Sequence, residues 1–327
     1  RKEKCMIEFL YFIIQGEVMK KNICVLGSIN IDLTLRVDRM VKPGETIMSK
    51  GYKKTFGGKG ANQALAAKLL GADVTFIGRV GNDENGIQIV KSLEKSEIDI
   101  SNIKFIDNTS TGMAVITVDD YGSNSIIVVP GANMDIDRNT ITQARESIIN
   151  SKMLVSQFET PLESTIEAFK IAKENGVITL LNPAPAKQIP DELLRLTDII
   201  VPNETEAFEI TNIEIGDNDS MIEASKRFIN GGVKFVIITL GEKGAALISE
   251  NEFSIVPAYK VKSIDTTAAG DSFIGALASR LLNEEILDFE SIERAMKFAN
   301  KVSSMVVQKQ GAQSSLPNLE QVLKDYK

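Results

Sequence analysis

The chain has 327 residues, of which 43% are apolar and 25% charged; these values are typical of a folded globular protein of two ordinary domains or one large α/β domain. Its 37 Lys and Arg against 44 Asp and Glu give a net charge of −7, which argues against nucleic acid as a partner because such binding needs clustered cations. The chain has no histidine, so Ser-His-Asp triads and His-ligated zinc are excluded and acid–base chemistry falls to Asp, Glu, Lys or Tyr.

The N-terminal segment is mostly apolar over residues 5–14. Glu8 interrupts this run and no A-x-A cleavage site follows, so we expect an N-terminal extension over residues 1–18, disordered or a product of an upstream start, before a folded domain over 19–327. No apolar run reaches the ~20 residues that span a bilayer, so we expect no membrane partner. Two cysteines, Cys5 and Cys24, make no disulfide framework and favour a reducing compartment, the cytoplasm.

Short apolar runs then alternate with helical patterns along the chain. The runs predict buried strands, and the patterns between them predict helices of about 10–15 residues. The strands are expected at 23–26, 74–77, 153–156, 177–181, 198–201 and 235–239, and the helices near 60–71, 84–96, 138–149, 162–175, 204–211 and 220–231. This alternation predicts an α/β fold with a mostly parallel central sheet and helices on both faces.

Two segments, 33–56 and 110–129, show polar alternation and lack a helix. In the second, two β-like runs flank a turn containing Gly122, which predicts a hairpin. We expect these two insertions to form a small second sheet that acts as a lid over a site at the strand ends. An ordinary edge hairpin explains the pattern equally well.

Two early motifs carry candidate binding residues. Asn30 and Asp32 follow the first strand, where open α/β sheets bind ligands, although an Asx turn is the alternative. Phe56-Gly-Gly-Lys-Gly-Ala-Asn62 runs straight into a helix without the spacing of a Walker A loop. Its Lys59 and Asn62 suit a polyhydroxylated ligand, whereas a tight strand–helix turn is the simpler reading.

Two further turns follow predicted strands. Asn203 and Glu206 lie three residues apart at a helix start, which suits either a magnesium site that retains waters or a capping box. The turn Thr239-Leu-Gly-Glu-Lys-Gly244 could bring a nucleotide close to the backbone, or it could be a plain hairpin turn.

The strongest motif is Asp265-Thr-Thr-Ala-Ala-Gly-Asp271, which opens an amphipathic helix. The backbone N–H groups of residues 268–271 would form an anion site at the helix N-terminus. Asp271, in the first turn, would lie beside the anion and deprotonate an attacking hydroxyl. The alternative is that Asp271 only caps the helix.

Taken together, these motifs resemble the ribokinase family of sugar and nucleoside kinases from about Met19 to the C-terminus. The resemblance also rests on Gln157-Phe-Glu159, Asn182-Pro-Ala-Pro185 and Gly311-Ala-Gln313, all in the expected order. It implies a three-layer α/β/α domain with a β-sheet lid formed by insertions, a homodimer paired through the lid, and transfer of the ATP γ-phosphoryl group to the 5-hydroxyl of D-ribose.

The resemblance also implies a role for individual residues of this chain. Asp271 would be the base, with an anion hole formed by Ala268, Ala269, Gly270 and Asp271. Sugar would be held by Asn30, Asp32, Gly58, Lys59, Asn62, Glu159 and Asp271. ATP would be held by Asn203, Thr239, Gly241, Gly244, Gly270 and Asn300, the last in place of a histidine found in some relatives. Glu206 would support Mg²⁺ through water, and an activating K⁺ would lie near Asp265, Thr267, Val306, Lys309, Gly311 and Ser315.

Several other functions remain open at this point. Kinases for deoxyribose, fructose or a nucleoside would share these motifs, although no Trp and only five Tyr favour a free sugar over a base. A sugar-binding regulator without catalysis is a different class, and it should have lost Asp271 or the Ala-Ala-Gly turn, which are both present. A nicotinamide enzyme is disfavoured because no G-x-G-x-x-G follows the first strand.

Overall fold

The protein is described here by a computed structural model that covers residues 22–325. The extension predicted over 1–18, the domain start near Met19, and Cys5 lie outside the described residues. The strands are β1 Asn22–Leu26, β2 Asn30–Arg36, β3 Gly51–Gly57, β4 Asp73–Gly81, β5 Asp99–Ile106, β6 Gly112–Val118, β7 Asn124–Val129, β8 Met153–Ser156, β9 Ile178–Leu181, β10 Ile199–Ile200, β11 Phe235–Thr239, β12 Ala245–Ile248 and β13 Phe253–Val256.

Helices fill most of the intervals between the strands of the large sheet. The α-helices are α1 Lys59–Leu69, α2 Glu84–Lys95, α3 Arg138–Gln143, α4 Arg145–Ile149, α5 Leu162–Glu174, α6 Asp191–Arg195, α7 Glu204–Thr211, α8 Asn218–Ile229, α9 Ala269–Leu281, α10 Phe289–Val306 and α11 Leu319–Asp325. Short 3₁₀ turns lie at Gly131–Asp135, Gly241–Lys243 and Gln313–Ser315.

The large sheet has nine strands in the order β13-β12-β11-β10-β9-β8-β1-β4-β5. Its strands pair in parallel except at β12, which is antiparallel to both neighbours. Successive residues of β1 face opposite sides: Ile23 and Val25 join the core beneath α1, α9 and α10, whereas Cys24 and Leu26 join the core beneath α5 and α8. Burial on both faces explains the continuous apolar strands and confirms the three-layer α/β/α prediction.

The second sheet has the order β3-β2-β6-β7 and confirms the predicted small sheet, which we call the lid. Strands β6 and β7 form the expected antiparallel hairpin, while β2 pairs β6 in parallel. Every residue of the edge strand β7 is exposed. A cleft of about 900 Å³ separates the lid from the segments 263–267 and 310–312.

Some sequence predictions were wrong in detail. Strand β5 was not predicted because polar residues interrupt its apolar pattern. The helix expected at 138–149 divides at Ala144. Asn30 and Asp32 lie on the lid strand β2, not at the end of the central strand, because the chain turns into the small sheet after only three residues.

Small residues let α1 and α9 pack closely enough to bring their N-termini together. A Cβ at Gly275 would lie 2.6 Å from both the Gln63 carbonyl oxygen and the Ala66 side chain. The facing residues Ala66 and Ala67 are buried. The glycine-rich loop before α1 and the Ala-Ala-Gly turn before α9 therefore meet at one end of the sheet.

Candidate active site

The glycine-rich loop packs backbone against backbone on the turn that follows β1. Gly58 has a φ of 90°, and a Cβ there would lie 2.7 Å from the Asn30 nitrogen and 2.8 Å from the Ser28 carbonyl oxygen. A Cβ at Gly60 would lie 2.6 Å from the Ser28 nitrogen. These positions accept only glycine, and the close approach fixes the N-terminus of α1 against Asn30.

Glu159 and Asn30 are each held by neighbours on other segments. The Ser28 hydroxyl and the Lys59 backbone N–H, the latter at 3.3 Å, both donate to Oε2 of Glu159. The Asn133 amide donates to Oδ1 of Asn30 at 2.7 Å. Since that oxygen is occupied, Asn30 presents its own N–H₂ group as the remaining donor.

Asp271 lies in the first turn of α9, as predicted. The turn is set by Ala268, the N-cap, whose φ of 62° is left-handed and unusual for alanine. Both carboxylate oxygens of Asp271 accept a side-chain hydrogen bond: Oδ2 from Asn62 at 2.9 Å and Oδ1 from Gln63 at 3.1 Å. The Oδ1 atom of Asn62 is buried without a protein partner among the described residues, as expected for an acceptor that serves a hydroxyl-rich ligand.

The charged groups here are strongly coupled. Burial, reinforced by the nearby Glu159 and Asp271, raises the pKa of Asp32 to about 7. Burial also raises the pKa of Asp271, while Lys59 and the two amides oppose that rise. Burial disfavours the charge of Lys59, but the surrounding carboxylates outweigh it and raise the pKa of that ammonium. A partly desolvated cluster with perturbed pKa values is typical of a catalytic site.

Most of the residues predicted to hold ATP lie near the ends of β10, β11 and β13, whereas Gly270 lies in the first turn of α9. Thr239 forms a parallel bridge with Asn203. A Cβ at Gly244 would lie 2.1 Å from the Val256 carbonyl oxygen, which also accepts a 2.9 Å hydrogen bond from the Asn300 amide. Asn300 is buried and donates to Pro257 as well, so its amide ties α10 to the segment after β13. Gly241 opens the short 3₁₀ turn.

Asn203 and Glu206 form the capping box that was the alternative reading. The Asn203 N–H donates to Oε2 of Glu206 at 2.9 Å, and the Glu206 N–H donates to Oδ1 of Asn203 at 2.7 Å. Burial raises the pKa of Glu206, which also lies within the field of Lys59 and Asp271. Because the capping box uses Oε2 of Glu206, its Oε1 stays available to a ligand. The described residues contain no group of three or more His, Cys, Asp or Glu that could enclose a metal ion, so Mg²⁺ would be held largely through water and phosphate.

Asp265 joins the two loops predicted to hold K⁺. Its carboxylate accepts from the Thr267 N–H and hydroxyl at 2.9 and 2.6 Å, and from the Gly311 N–H at 2.9 Å. These bonds lower its pKa against the effect of burial. The Asp265 N–H in turn bonds the Val307 carbonyl, one residue from the predicted Val306, whose own carbonyl accepts from Lys309. Ser315 is buried, and its hydroxyl bonds Ala312.

The residues predicted to hold sugar, nucleotide and cation therefore lie in neighbouring segments at one end of the large sheet. Asp32 and the loop of Asp265 open onto the same cleft beneath the lid. Sequence reasoning missed the supporting residues Ser28, Gln63 and Asn133. Ser28 and Gln63 sit inside or next to recognised motifs, but nothing local to Asn133 indicated its contact with Asn30.

Comparison with known proteins agrees with this geometry. The family model described as pfkB family carbohydrate kinase matches residues 20–319. Ribokinase of Staphylococcus aureus (strain COL) is 45% identical over 305 residues, which cover 93% of this chain and 99% of that protein. The bifunctional ribokinase/ribose-5-phosphate isomerase A of Fructilactobacillus sanfranciscensis is 46% identical over 304 residues; they cover 93% of this chain but only 56% of that protein.

A solved structure extends the comparison to three dimensions. Arabidopsis thaliana ribokinase complexed with ribose and ATP is 32% identical, with a TM-score of 0.85, and the match covers 94% of this chain and 98% of that one. Among the described residues, no helix is long and apolar enough to cross a membrane. The family match over nearly the whole chain, the relatives at 45–46% identity and the assembled site lead to one conclusion: this chain belongs to the pfkB family of carbohydrate kinases.

Proposed function

We propose that the protein phosphorylates D-ribose on its 5-hydroxyl with ATP as the phosphoryl donor. The observation that carries this proposal is the convergence, around Asp271, of the donors and acceptors of Asn62, Lys59 and Asp32 at the N-termini of α1 and α9. Such a set suits a small polyol, because carboxylate and amide groups bond adjacent hydroxyls. The ribokinase names and the ribose- and ATP-bound relative support the same choice.

Asp271 acts as the general base in this proposal. Its carboxylate takes the proton of the sugar 5-hydroxyl as that oxygen attacks the γ-phosphorus of ATP. The bond from the γ-phosphorus to the β,γ-bridging oxygen breaks, and ADP leaves. Burial brings the pKa of Asp271 upward, toward the range in which a base transfers protons most efficiently near neutral pH. Histidine is not needed, because phosphoryl transfer depends mainly on positioning and charge stabilisation.

The backbone N–H groups of 268–271 serve as the anion hole for the transferred phosphoryl group. They lie at the start of the 13-residue α9, where the helix dipole adds positive potential. Lys59, held in its charged form by the surrounding carboxylates, adds a second positive group. Asn203, Thr239, Gly241, Gly244, Gly270 and Asn300 hold the nucleotide.

Two cations complete the proposal. Mg²⁺ would neutralise the ATP phosphates, with Glu206 holding its waters through the oxygen that the capping box leaves available. K⁺ would fit the Asp265 loop, where a carboxylate, the Thr267 hydroxyl and nearby backbone carbonyls supply oxygen donors. Its role would be to rigidify the loop that leads into the anion hole.

The lid supports a homodimer as the assembled form. Strand β7 is an unpaired edge with Ile126, Ile127, Val128 and Val129 each 44–66% exposed. An exposed apolar edge strand is stabilised by pairing with a second copy. Ile127→Lys should shift the protein to monomer in sedimentation analysis, and an unchanged dimer would place the interface elsewhere. The cysteine usage and the free, buried Cys24 fit a cytoplasmic protein.

The decisive experiment measures ADP release with D-ribose, 2-deoxy-D-ribose, D-fructose, adenosine or no acceptor, in Mg²⁺, with and without K⁺. Turnover on ribose well above the other acceptors, raised by K⁺, is the expected result. Preference for another acceptor would keep the kinase mechanism and change the substrate. A folded protein that releases no ADP with any acceptor would favour a sugar-binding regulator.

A further inference from the structure

A chain of three buried amides runs beneath the candidate base. Gln157 donates from Nε2 to Oε1 of Gln63 at 2.7 Å. Gln63 then donates from its own Nε2 to two acceptors, Oδ1 of Asp271 and Oδ1 of Asn182, each at 3.1 Å. Gln63, Gln157 and Asn182 are 1%, 0% and 7% exposed, so they lie in the protein interior beneath Asp271.

A backbone carbonyl at one end fixes the orientation of all three hydrogen-bonded amides. The Val201 carbonyl can only accept, so Asn182 must direct Nδ2 toward it, at 3.0 Å, and turn Oδ1 toward Gln63. That oxygen requires the Nε2 side of Gln63. The Oε1 of Gln63 then faces Gln157, which holds it from the other end. A flip of Gln63 would set oxygen against oxygen at both Asn182 and Asp271.

As a result, each carboxylate oxygen of Asp271 accepts a hydrogen bond from a side-chain amide. Asn62 donates to Oδ2 and Gln63 to Oδ1, from consecutive residues of α1. Asn62 keeps its Oδ1 without a protein partner among the described residues, whereas both polar atoms of the Gln63 amide are bonded to protein groups. A donor to a buried carboxylate stabilises its charged form and fixes its plane.

We propose that Gln63 is the positioning residue of the Asp271 base, and that Gln157 and Asn182 lock the Gln63 amide in the donating orientation. This inference rests on the proposed function of Asp271 and gives a role to two motif residues, Gln157 and Asn182, to which the sugar and nucleotide sites assign none. Gln63 touches neither substrate. It acts by keeping Asp271 ionised against its burial and by aiming the free lone pair of Oδ1 or Oδ2 at the attacking hydroxyl.

The test is the pH dependence of kcat in Gln63→Met, which keeps the side-chain length and removes both donors. We expect the acidic limb of the profile to move up by about one pH unit, so that kcat at a pH on that limb falls about tenfold, the effect of one charge-assisted hydrogen bond. The KM for ribose should change less than about twofold, because Gln63 does not contact the sugar. Ser225→Ala, which alters another buried polar side chain remote from the site, should leave the acidic limb where it is.

Gln157→Met provides the second variant if Gln63→Met folds poorly. It leaves the contact between Gln63 and Asp271 possible but frees the Gln63 amide to turn, so a smaller shift in the same direction is expected. If both variants lower only the melting temperature and keep the wild-type acidic limb, Gln63 is a core residue and the inference fails.

A direct titration separates this inference from the proposed function. The carboxyl resonance of Asp271 in ¹³C-aspartate-labelled protein, assigned by its loss in Asp271→Asn, should titrate at a higher pH in Gln63→Met than in wild type. This readout needs no turnover. A wild type inactive on every acceptor would overturn the proposed function, whereas an unmoved Asp271 titration would overturn the role of Gln63.

Discussion

The Asn62 amide lies 2.9 Å from Oδ2 of Asp271, although the two residues are 209 positions apart. Both stand in the first turn of a helix, and the contact exists because α1 and α9 cross at Gly275 with little between their backbones. The loop proposed to hold the sugar and the turn proposed to form the anion hole therefore both belong to the packed α1–α9 pair. The chemistry of the site depends on the packing of that pair.

Removing the base should separate folding from catalysis. We expect Asp271→Asn to fold normally and to lose at least ~10²-fold in kcat, since a positioned general base contributes roughly 10²–10⁴-fold. Steady-state kinetics with ribose and ATP, together with thermal unfolding, checks this. Near wild-type turnover in a folded variant would exclude Asp271 as the base.

Crowding the α1–α9 contact should damage stability and activity together. In Gly275→Val the first added carbon would lie 2.6 Å from a backbone carbonyl oxygen, which cannot yield as a side chain does. We expect the free energy of unfolding to fall by about 1–3 kcal/mol, with a parallel loss of kcat as the two helix starts separate. Gly216→Ala is the matched control, since a Cβ there meets nothing within 4 Å; equal loss in both variants would contradict the prediction.

Asp32 should make stability depend on pH. Its pKa is raised from 3.8 to about 7 in the folded protein, so between these values the folded state binds more protons than the unfolded state. Its contribution to stability is therefore present below pH ~4 and is lost as the pH rises toward 7. The Asp32→Asn variant has no carboxyl to ionise, so it does not lose this stability as the pH rises. The difference in free energy of unfolding, variant minus wild type, should therefore increase by about 1–3 kcal/mol from pH 5 to pH 8.

Urea unfolding of both proteins at the two pH values measures this difference. The Asp32→Asn variant should also bind ribose more weakly, because a carboxylate acceptor is replaced by an amide. A stability difference that stays constant with pH would show that Asp32 is ionised at both.

Ala268 carries backbone strain at the entrance to the anion hole. Its φ of 62° costs an L-residue about 1–2 kcal/mol, whereas glycine loses about 0.5–1 kcal/mol of chain entropy instead. Ala268→Gly should therefore raise the free energy of unfolding by up to about 1 kcal/mol, and kcat should stay within about twofold because the N–H groups remain. Denaturant unfolding tests the first part; a clear loss of stability would show that the Ala268 methyl contributes packing that outweighs the strain.

The Asp265 loop should govern the response to K⁺. The Thr267 N–H donates to Oδ1 of Asp265 and the Gly311 N–H donates to Oδ2. In Asp265→Asn one of these oxygens becomes an N–H₂ group that faces a donor. We expect turnover to fall about tenfold and activation by K⁺ to disappear. Rates against K⁺ concentration, with Na⁺ holding the ionic strength constant, measure this. An unaltered K⁺ response would place the cation elsewhere.

The outline of the large sheet was readable from the chain because its signals are local. Strands β8 and β11 and helix α7 were predicted at their observed bounds, since a continuous apolar run or a capped amphipathic turn needs no information from elsewhere. Strand β5 escaped prediction because it lies at the sheet edge and mixes polar with apolar residues. The site residues drawn from the family resemblance stay predictions until the experiments above are done.

The residues alone indicated the kind of chemistry. The glycines of the 57–60 loop and the turn before Asp271 restrict the backbone locally, and the absence of histidine limits the side-chain groups available. Folding in three dimensions set which groups meet. Asn133 reaches Asn30 from 103 residues away and Gln63 reaches Asp271 from 208. The pKa of Asp32 likewise depends on burial and on Glu159 and Asp271. Hydrogen bonds and electrostatic interactions depend on the distance between groups in space, and that distance cannot be read from their separation in the sequence.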